Sequence, residues 1–397
     1  MSNATKNVTK LATFFAANVR ADDSTDNSVA LQAALNAANA AGGGVVTLPP
    51  GNIRYATTLT LDGGVHLEGQ GAQNTVLKYS GAAQAIVQST PGTRIYGVGV
   101  RSLKLQDIGT GTYGLDLNSV SSSTFDDLLI DGFSVNAVRL QGANGFCVYN
   151  RFTNVTAQNC TTGFQLGAAG SNSNSFIACR SNVCTTGWNI LDSNQTQLIG
   201  CQIESGTTGV RITSSASALA DRTTIIGCRF ENISAGNVVI MSTNVRETFL
   251  MGNHHVTGEV VDAGLRTQAI DMFGTTGPNL KLVSAAAAAA TGAFEFERTV
   301  SGGASLPALV VRDSNTGAGT PVTIQAETGR STGSFFKGVR GGTAYFEAYA
   351  NGALGIADGI TAPGTVAGMA QLYVDTADGD LKVKFGDGTV KTIVVDT

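Results

Sequence analysis

Two glutamates, Glu204 and Glu231, occupy the same position in neighbouring copies of a repeated segment. Stacked β-strands lie ~4.8 Å apart, so the two residues are predicted to lie about 5 Å apart at the backbone. Glycosidases that retain the configuration of the sugar hold their two carboxyl groups about 5–5.5 Å apart. Two like charges at this distance would raise the pKa of one carboxyl and leave an acid beside a base. The pair is therefore a candidate catalytic site for glycosidic bond cleavage.

Four polar residues accompany this pair in the repeat: Arg180, Asn182, Gln202 and Arg229. They are candidates for substrate binding, and the two arginines suit acidic sugar groups. The alternative is a solvated face on which the arginines neutralise the glutamates, an arrangement that adds little stability. Structural ion networks also perturb pKa values, so both interpretations stay open at the level of sequence.

The position of these residues depends on a repeat in the middle of the chain. Its glycines Gly163, Gly187, Gly209 and Gly236 are separated by 24, 22 and 27 residues. A period of roughly 20–30 residues indicates a solenoid in which each repeat forms one coil. The copies contain strand patterns, so the repeat predicts a parallel β-helix. They read FDDLLIDGFSVNAVRL from Phe125, FTNVTAQNCTTGFQL from Phe152, FIACRSNVCTTGWNI from Phe176, LIGCQIESGTTGVRI from Leu198 and IIGCRFENISAGNVVI from Ile225.

Alternation along the strands predicts which side chains point into the solenoid. Five of the six cysteines occupy repeat columns, and we expect buried reduced thiols because stacked columns point in parallel. Trp188 falls in an inward column and is assigned to the core. Packing is the preferred interpretation for most of the aromatic residues that could stack on sugar rings. These candidates are Tyr113, Tyr149, Phe335, Phe336, Tyr345, Phe346 and Tyr349. Two outward columns contain Leu129, Thr156, Arg180, Gln202 and Arg229, and Asp131, Gln158, Asn182, Glu204 and Glu231.

Histidines and further carboxylates are weaker candidates. Alternation points His66 outward, and one of His254 and His255 is expected to face outward near the two glutamates. Asp126 and Asp127 begin a coil and are interpreted as turn or strand-end residues. No order or spacing of these residues supports a nucleophile–histidine–acid arrangement.

A helix is predicted ahead of the repeat from the pattern LQAAL at Leu31–Leu35. Polar residues at 22–27 precede it, and a glycine run at 42–44 ends it before VVTLPPG and a GQG turn. This order resembles the N-terminal part of the pectate-lyase-like right-handed β-helix superfamily, especially its phage tailspike branch. The resemblance covers residues 20–260 and implies an all-β, right-handed parallel β-helix whose open end is covered by the helix.

Past residue 260 the repeat fades, and from Ala293 onward short alternating strands are predicted, such as FEFERTV and TAYFEAYA. Asp-Gly pairs near the end are strong hairpin signals. This ending resembles the C-terminal modules of phage tail fibres and tailspikes. We predict three parts: an attachment segment at 1–20, the solenoid with its capping helix at 21–264, and a β-rich, sandwich- or prism-like trimerisation domain at 265–397.

Bulk composition narrows the range of partners. Charged residues make up 14% of the 397 residues, against about 25% in typical proteins. The net charge of −4 and the lack of a basic run argue against nucleic acid. No apolar stretch approaches ~18 residues, so no membrane insertion is predicted. The N-terminus lacks the apolar region of a signal peptide, which predicts folding in a host cytoplasm. Neither the cysteine spacing nor the acidic clusters indicate a metal site or cofactor.

The resemblance implies a tailspike or tail fibre of a virion. Such a protein is a homotrimer that joins phage tail or baseplate proteins through its N-terminus and binds host surface polysaccharide. Glycan cleavage by Glu204 and Glu231 would make it a polysaccharide depolymerase, either a glycoside hydrolase or a lyase. The alternative is a non-catalytic structural or receptor-binding spike. A secreted bacterial polysaccharide lyase is disfavoured by the missing signal peptide and the tail-like C-terminus.

Overall fold

A right-handed parallel β-helix of about 8 turns forms the main body of the computed structural model of the chain, as predicted. The chain divides into two compact units, 1–295 and 296–397. The structure describes residues 12–16, 18–88, 93–142, 146–167, 170–215, 220–242, 244–256, 260–264, 267–273, 279–285, 334–340, 343–349, 353–357 and 360–394.

Strands of successive coils stack in parallel on three faces of the solenoid. Face one contains β1 (Thr13–Phe15), β2 (Gly44–Thr47), β5 (Val65–Glu68), β16 (Ser175–Ile177), β19 (Gln197–Ile199) and β22 (Thr224–Ile226). Face two contains β3 (Gly51–Tyr55), β6 (Thr75–Tyr79) and β17 (Arg180–Asn182). Face three contains β4 (Leu59–Leu61), β7 (Gln84–Gln88), β10 (Tyr113–Asn118), β13 (Asn136–Gln141), β15 (Thr162–Gly167), β18 (Thr186–Leu191) and β26 (Val260–Asp262).

Longer strands run around a corner and contribute to two faces. Those that join face one to face two are β9 (Gly99–Asp107), β12 (Thr124–Asp131), β14 (Arg151–Gln158), β25 (Phe249–His255) and β27 (Thr267–Phe273). Those that join face two to face three are β20 (Gln202–Thr213) and β23 (Arg229–Ile240). Short corner strands pair as β8 (Ile95–Tyr96) with β11 (Val120–Ser121) and β21 (Ala220–Asp221) with β24 (Val245–Arg246). The antiparallel strand β28 (Asn279–Ala285) pairs with β27 after the last parallel rung.

A residue with left-handed backbone turns each coil from face one to face two. Asp127 and Asn154 have φ angles of 51° and 52°, and the equivalent Gly200 and Gly227 have 61° and 62°. Asn, Asp and Gly adopt this conformation at the lowest cost, which explains their recurrence at this point of the repeat. The repeated turn keeps the side chains of successive coils in register.

Stacked aromatic rings fill the centre of the solenoid. Phe152 lies between Phe125 and Phe176 with ring centroids 4.7 and 4.9 Å apart. Trp188 is fully buried on Phe164 at 4.4 Å, so its assignment to the core is confirmed. All six cysteines are free and buried, as predicted.

The predicted register of the repeat is confirmed with one correction. Thr156 pairs with Arg180, and Glu204 pairs with Glu231. The prediction that Gly236 is equivalent to Gly209 is wrong, because Gly236 pairs with Thr208. Strand β23 has one extra residue before this point, and the strands are again in the predicted register from Val210 and Val238 onward.

The N-terminal helix α1 (Ser28–Ala40) packs against the first coils through Leu31, Leu35 and Ala38, which are buried. The residue at its N-cap is Asn27, which makes no side-chain capping hydrogen bond. The backbone N–H of Ser28 instead donates to Asp26 Oδ1 at 2.9 Å. The helix thus buries its apolar face where the first rung would otherwise be open.

The described residues of the C-terminal unit form two antiparallel sheets. The first contains β29 (Ser334–Arg340), β30 (Thr343–Tyr349) and β31 (Leu354–Ile356), and the second contains β32 (Gln371–Val374), β33 (Leu381–Lys384) and β34 (Val390–Val394). The Asp-Gly hairpins are confirmed, with φ angles of 74° at Gly379 and 91° at Gly388. The division at 20 and 264 stays a prediction, and residues 1–11 of the proposed attachment segment lie outside the described residues.

Candidate functional site

The six residues predicted as a site lie together on three rungs of face two. Arg180 pairs with Gln202 and Gln202 with Arg229, while Asn182, Glu204 and Glu231 form the neighbouring column. All six are half-buried. Adjacent rungs are ~4.8 Å apart, so the group forms a continuous polar patch along the solenoid axis. We call these six residues the face-two patch.

Each glutamate of the face-two patch has its own arginine. Arg180 Nη2 donates to Glu204 Oε2, and Arg229 Nη1 lies 2.5 Å from Glu231 Oε2. Side-chain exposure is 25% for Glu204 and 26% for Glu231, so water screens both pairs only in part. A carboxylate oxygen that already accepts from a guanidinium has fewer lone pairs available to a substrate. The pairing therefore favours binding over acid–base catalysis, and the catalytic role stays a prediction.

The amides of the face-two patch are available to a ligand. The side chains of Asn182 and Gln202 have no hydrogen-bond partner among the described residues, although both are only half exposed. Amides offer one acceptor and two donors, which match the hydroxyl groups of sugars.

A histidine extends the patch by one rung, as predicted. His254 is exposed and pairs with Arg229, whereas His255 is buried. The His255 ring stacks on Phe230 at 5.0 Å, and its Nδ1 lies 3.0 Å from Asn237 Nδ2. His255 thus belongs to the core, and His254 adds a further polar group to the surface.

A second candidate site lies on face one and was missed by sequence reasoning. His66, Gly99, Asp126 and Arg151 line a groove of about 480 Å³, which we call the face-one groove. A Cβ on Gly99 would lie 2.1 Å from His66 Nδ1, so only glycine leaves room for the imidazole. Asp126 and Arg151 are exposed and make no ion pair with any described residue. The carboxylate and the guanidinium are therefore both open to a ligand.

Electrostatics keep the imidazole of the face-one groove uncharged near neutral pH. Burial lowers the pKa of His66, and the nearby charge of Arg101 lowers it further. Arg101 itself pairs with Glu68 at 2.9 Å. A neutral imidazole can accept a proton or a hydrogen bond, which is the property of a general base.

The sequence did carry a signal for this groove. His66 was predicted to point outward, which is confirmed, but Asp126 was interpreted as a turn or strand-end residue. Asp126 lies within β12 and pairs with Arg101 and Thr153. Extending the repeat alignment to the first half of each coil would have placed His66, Gly99 and Arg151 in one column, and Asp126 in the column two residues further along the strand.

The described residues contain neither a metal-binding cluster nor a membrane-spanning helix. No group of three or more His, Cys, Asp and Glu side chains there could hold a metal ion. Among the same residues no helix has the length and apolar character required to cross a membrane.

Comparison with known sequences gives matches to short parts of the chain. Residues 16–99 match the family model described as rhamnogalacturonase A/epimerase, pectate lyase-like. Mannuronan C5-epimerase AlgE6 of Azotobacter vinelandii is 43% identical over 95 residues, which are 21% of this chain and 11% of that protein. AlgE1 of the same organism is 38% identical over 104 residues, 23% of this chain and 7% of that protein. The chain thus spans about a tenth or less of the length of these curated relatives.

Solved structures resemble the chain over a larger part of its length. ORF18 of Geobacillus virus E2 superposes with a TM-score of 0.54 at 15% identity, covering 97% of this chain and 86% of that one. The tailspike protein gp49 of Acinetobacter baumannii bacteriophage Fri1, a capsular polysaccharide depolymerase, superposes with a TM-score of 0.45 at 13% identity. This match covers 68% of this chain and 64% of that one. The match at 16–99 is to a pectate-lyase-like family model, and the superposition on ORF18 shows that the two chains share a fold.

Proposed function

We propose that the chain is a tailspike or tail-fibre component of a virion that binds the surface polysaccharide of a host cell. The observation that carries the proposal is the face-two patch, in which cations and free amides repeat at the rung spacing. A linear polysaccharide laid along the solenoid axis meets a donor on every rung. The mannuronan C5-epimerases among the sequence relatives support the same class of ligand.

The pairing of each arginine with a glutamate suits recognition of a polar polymer. Arg180 and Arg229 hold the glutamate side chains in fixed positions and still have free guanidinium N–H groups. Asn182 and Gln202 add amide groups between the charged pairs. The patch offers both donors and acceptors, as hydroxyl-rich ligands require.

Assembly and location belong to the same proposal. A solenoid whose faces have few charges can bury a face against two copies of itself, so we expect a homotrimer. The N-terminal segment would join a phage tail or baseplate protein, and the protein would be made in the host cytoplasm and act in the virion tail. The resemblance of the C-terminal part to tail-fibre modules supports this arrangement.

Cleavage of the bound polysaccharide is a second candidate function, as a glycoside hydrolase or a lyase. The face-one groove favours it, because Asp126 has no ion-pair partner among the described residues and His66 is neutral near pH 7. The stacked Glu204 and Glu231 are the other carboxyl pair that could serve. Since both glutamates are ion-paired, we expect catalysis to depend on the face-one groove.

The experiment measures binding and cleavage separately. Purified protein is incubated with capsular polysaccharide and O-antigen from several hosts, and retention on immobilised glycan and release of oligosaccharides are recorded. Binding is expected to fall about tenfold in Arg180→Gln and Arg229→Gln, since each loses a charge-assisted hydrogen bond. Asp23→Asn is the matched control, because it breaks the exposed ion pair with Lys78 elsewhere.

The variants Glu204→Gln, Glu231→Gln and Asp126→Asn separate the two functions. Loss of oligosaccharide release in Asp126→Asn alone supports catalysis in the face-one groove. Loss of release in Glu204→Gln or Glu231→Gln supports catalysis by the stacked pair. Retention without release across the panel supports a non-catalytic spike. A wild-type protein that binds no glycan of the panel contradicts the proposed function.

A further inference from the structure

A groove of about 460 Å³ lies at the corner of the solenoid that leads into face one. Its lining includes Arg94, Phe146, Tyr149, Asn172, Asn194 and Gln195, and we call it the corner groove. Tyr149 and Gln195 occupy equivalent left-handed positions of their coils, with φ angles of 60° and 56°. None of the six residues of the face-two patch belongs to its lining. The corner groove is therefore distinct from the face-two patch, and it shares no lining residue with the face-one groove.

Aromatic rings at the corner groove are left in water. Phe146 is 54% exposed and Tyr149 is 67% exposed, and the adjacent Tyr96 is 53% exposed. Exposed aromatic clusters of this kind mark ligand-binding surfaces in soluble proteins. Flat apolar rings match the C–H faces of pyranose rings, which favours a sugar over a compact ion.

A cation without a carboxylate partner lies beside these rings. The Arg94 guanidinium lies 4.6 Å from the Phe146 ring centroid and 5.8 Å from that of Tyr96. Its Nη1 donates to the Tyr96 hydroxyl at 3.4 Å. No described carboxylate forms an ion pair with Arg94. The rings hold the guanidinium in place and leave its N–H groups available for a bidentate carboxylate.

Amide groups give the corner groove an excess of donors. Asn172 Oδ1 accepts from the backbone N–H of Asn194 at 2.8 Å, and Asn194 Oδ1 accepts from that of Asp221 at 2.8 Å. Both oxygens are thereby used, and both NH₂ groups remain without a partner among the described residues. Asp221 also lines the groove, but Arg246 neutralises it through two hydrogen bonds of 3.1 and 3.0 Å. The surface therefore suits a ligand rich in acceptors and negative in charge.

We propose that the corner groove binds a carboxylated saccharide, such as a uronic acid unit of an acidic polysaccharide. Arg94 takes the carboxylate, the amides of Asn172 and Asn194 donate to hydroxyl oxygens, and Tyr149 stacks on the sugar ring. The volume lies in the range of small-ligand sites. This inference rests on the proposed function and specifies its ligand as acidic.

The test uses the purified full chain and defined probes in titration calorimetry. The probes are tetramers of galacturonate, mannuronate and sialic acid, each compared with its carboxyl-reduced neutral form. At least one acidic tetramer is expected to bind, and its neutral form to bind about tenfold more weakly. Arg94→Gln and Tyr149→Ala are each expected to lower the affinity for the acidic form about tenfold. Arg54→Gln, which removes an exposed arginine on β3, is expected to leave the affinity unchanged.

Several outcomes would overturn the inference. They are no binding of any acidic tetramer to the wild type, equal affinity for acidic and neutral forms, or unchanged affinity in both variants. A change of oligomeric state in Arg94→Gln or Tyr149→Ala by light scattering would identify the groove as an interface between copies and also overturn it. Each of these results leaves host polysaccharide retention in the earlier assay unaffected, so failure of the inference and failure of the proposed function are distinguishable.

Discussion

Gly187 of the TTG segment allows two coils to approach each other closely, so adding a methyl group there is expected to destabilise the solenoid. A Cβ at this position would lie 2.5 Å from the carbonyl oxygen of Gly209 and 3.0 Å from Ile203 Cγ2. The first atom belongs to the backbone of the next rung and the second to a buried side chain. Neither can move without separating the rungs.

The magnitude follows from two opposing effects. Forcing an extra methyl group into a packed core costs about 1–3 kcal/mol. Replacing glycine by alanine restricts the unfolded chain and returns about 0.4–1 kcal/mol. The free energy of unfolding of Gly187→Ala is therefore expected to fall by about 1–2 kcal/mol. For a body of this size such a change lowers the Tm by roughly 2–8 °C.

A matched control exists at Gly167, which ends β15. The nearest atom to a Cβ there is Gln165 Nε2 at 3.3 Å, the end of a flexible side chain. Gly167→Ala is expected to change the free energy of unfolding by less than about 0.5 kcal/mol. Urea and thermal unfolding followed by circular dichroism measure both variants. Equal stability of Gly187→Ala and Gly167→Ala would refute the close-approach argument.

Two further predictions concern charged groups. Arg139 forms two hydrogen bonds of 2.8 and 2.6 Å with Asp116, whose side chain is only 9% exposed. Arg139→Met is expected to lower the free energy of unfolding in urea by about 3 kcal/mol, because it leaves the buried Asp116 carboxylate without its partner. Arg222→Met, at an exposed ion pair, is expected to lower it by less than about 1 kcal/mol. Equal losses in the two variants would contradict this reasoning. Burial and the charge of Arg101 lower the pKa of His66 in the folded chain. As the pH falls, His66 is therefore protonated in the unfolded chain before it is protonated in the folded chain. The contribution of His66 to stability is expected to be retained above pH 6.5 and to be lost as the pH falls below this value. The Tm of His66→Gln is therefore expected to fall less steeply with decreasing pH than the Tm of the wild type. Equal slopes for the two proteins would contradict this prediction.

The repeat predicted the fold because strand side chains alternate and coils stack in register. These two rules were enough to assign Trp188 and the cysteines to the core and to place Glu204 over Glu231. They also placed His66 on the outside. The assignment of Gly236 was wrong because one extra residue in strand β23 shifts an equivalence without changing the overall pattern.

The order of residues in the chain also identified the N-terminal helix and the Asp-Gly hairpins. Both depend on local backbone preferences, which act over a few residues and are therefore visible in sequence. The residue at the N-cap, Asn27, lies within the polar segment at 22–27 that was predicted to precede the helix, but the exact boundary also depends on contacts outside the helix.

Ion pairing and the grooves were decided only by the tertiary structure. Alternation shows that Arg180 and Glu204 face outward, but the bond between them depends on side-chain conformations across two rungs. The corner groove brings together Arg94, Phe146 and Asn194, which are far apart in the chain and lie outside the five aligned repeat segments. The sequence by itself thus determined the solenoid and the direction of its side chains, since these follow from local periodicity. The tertiary structure alone decided which charges are neutralised and which remain open to a ligand, because that depends on distances between coils.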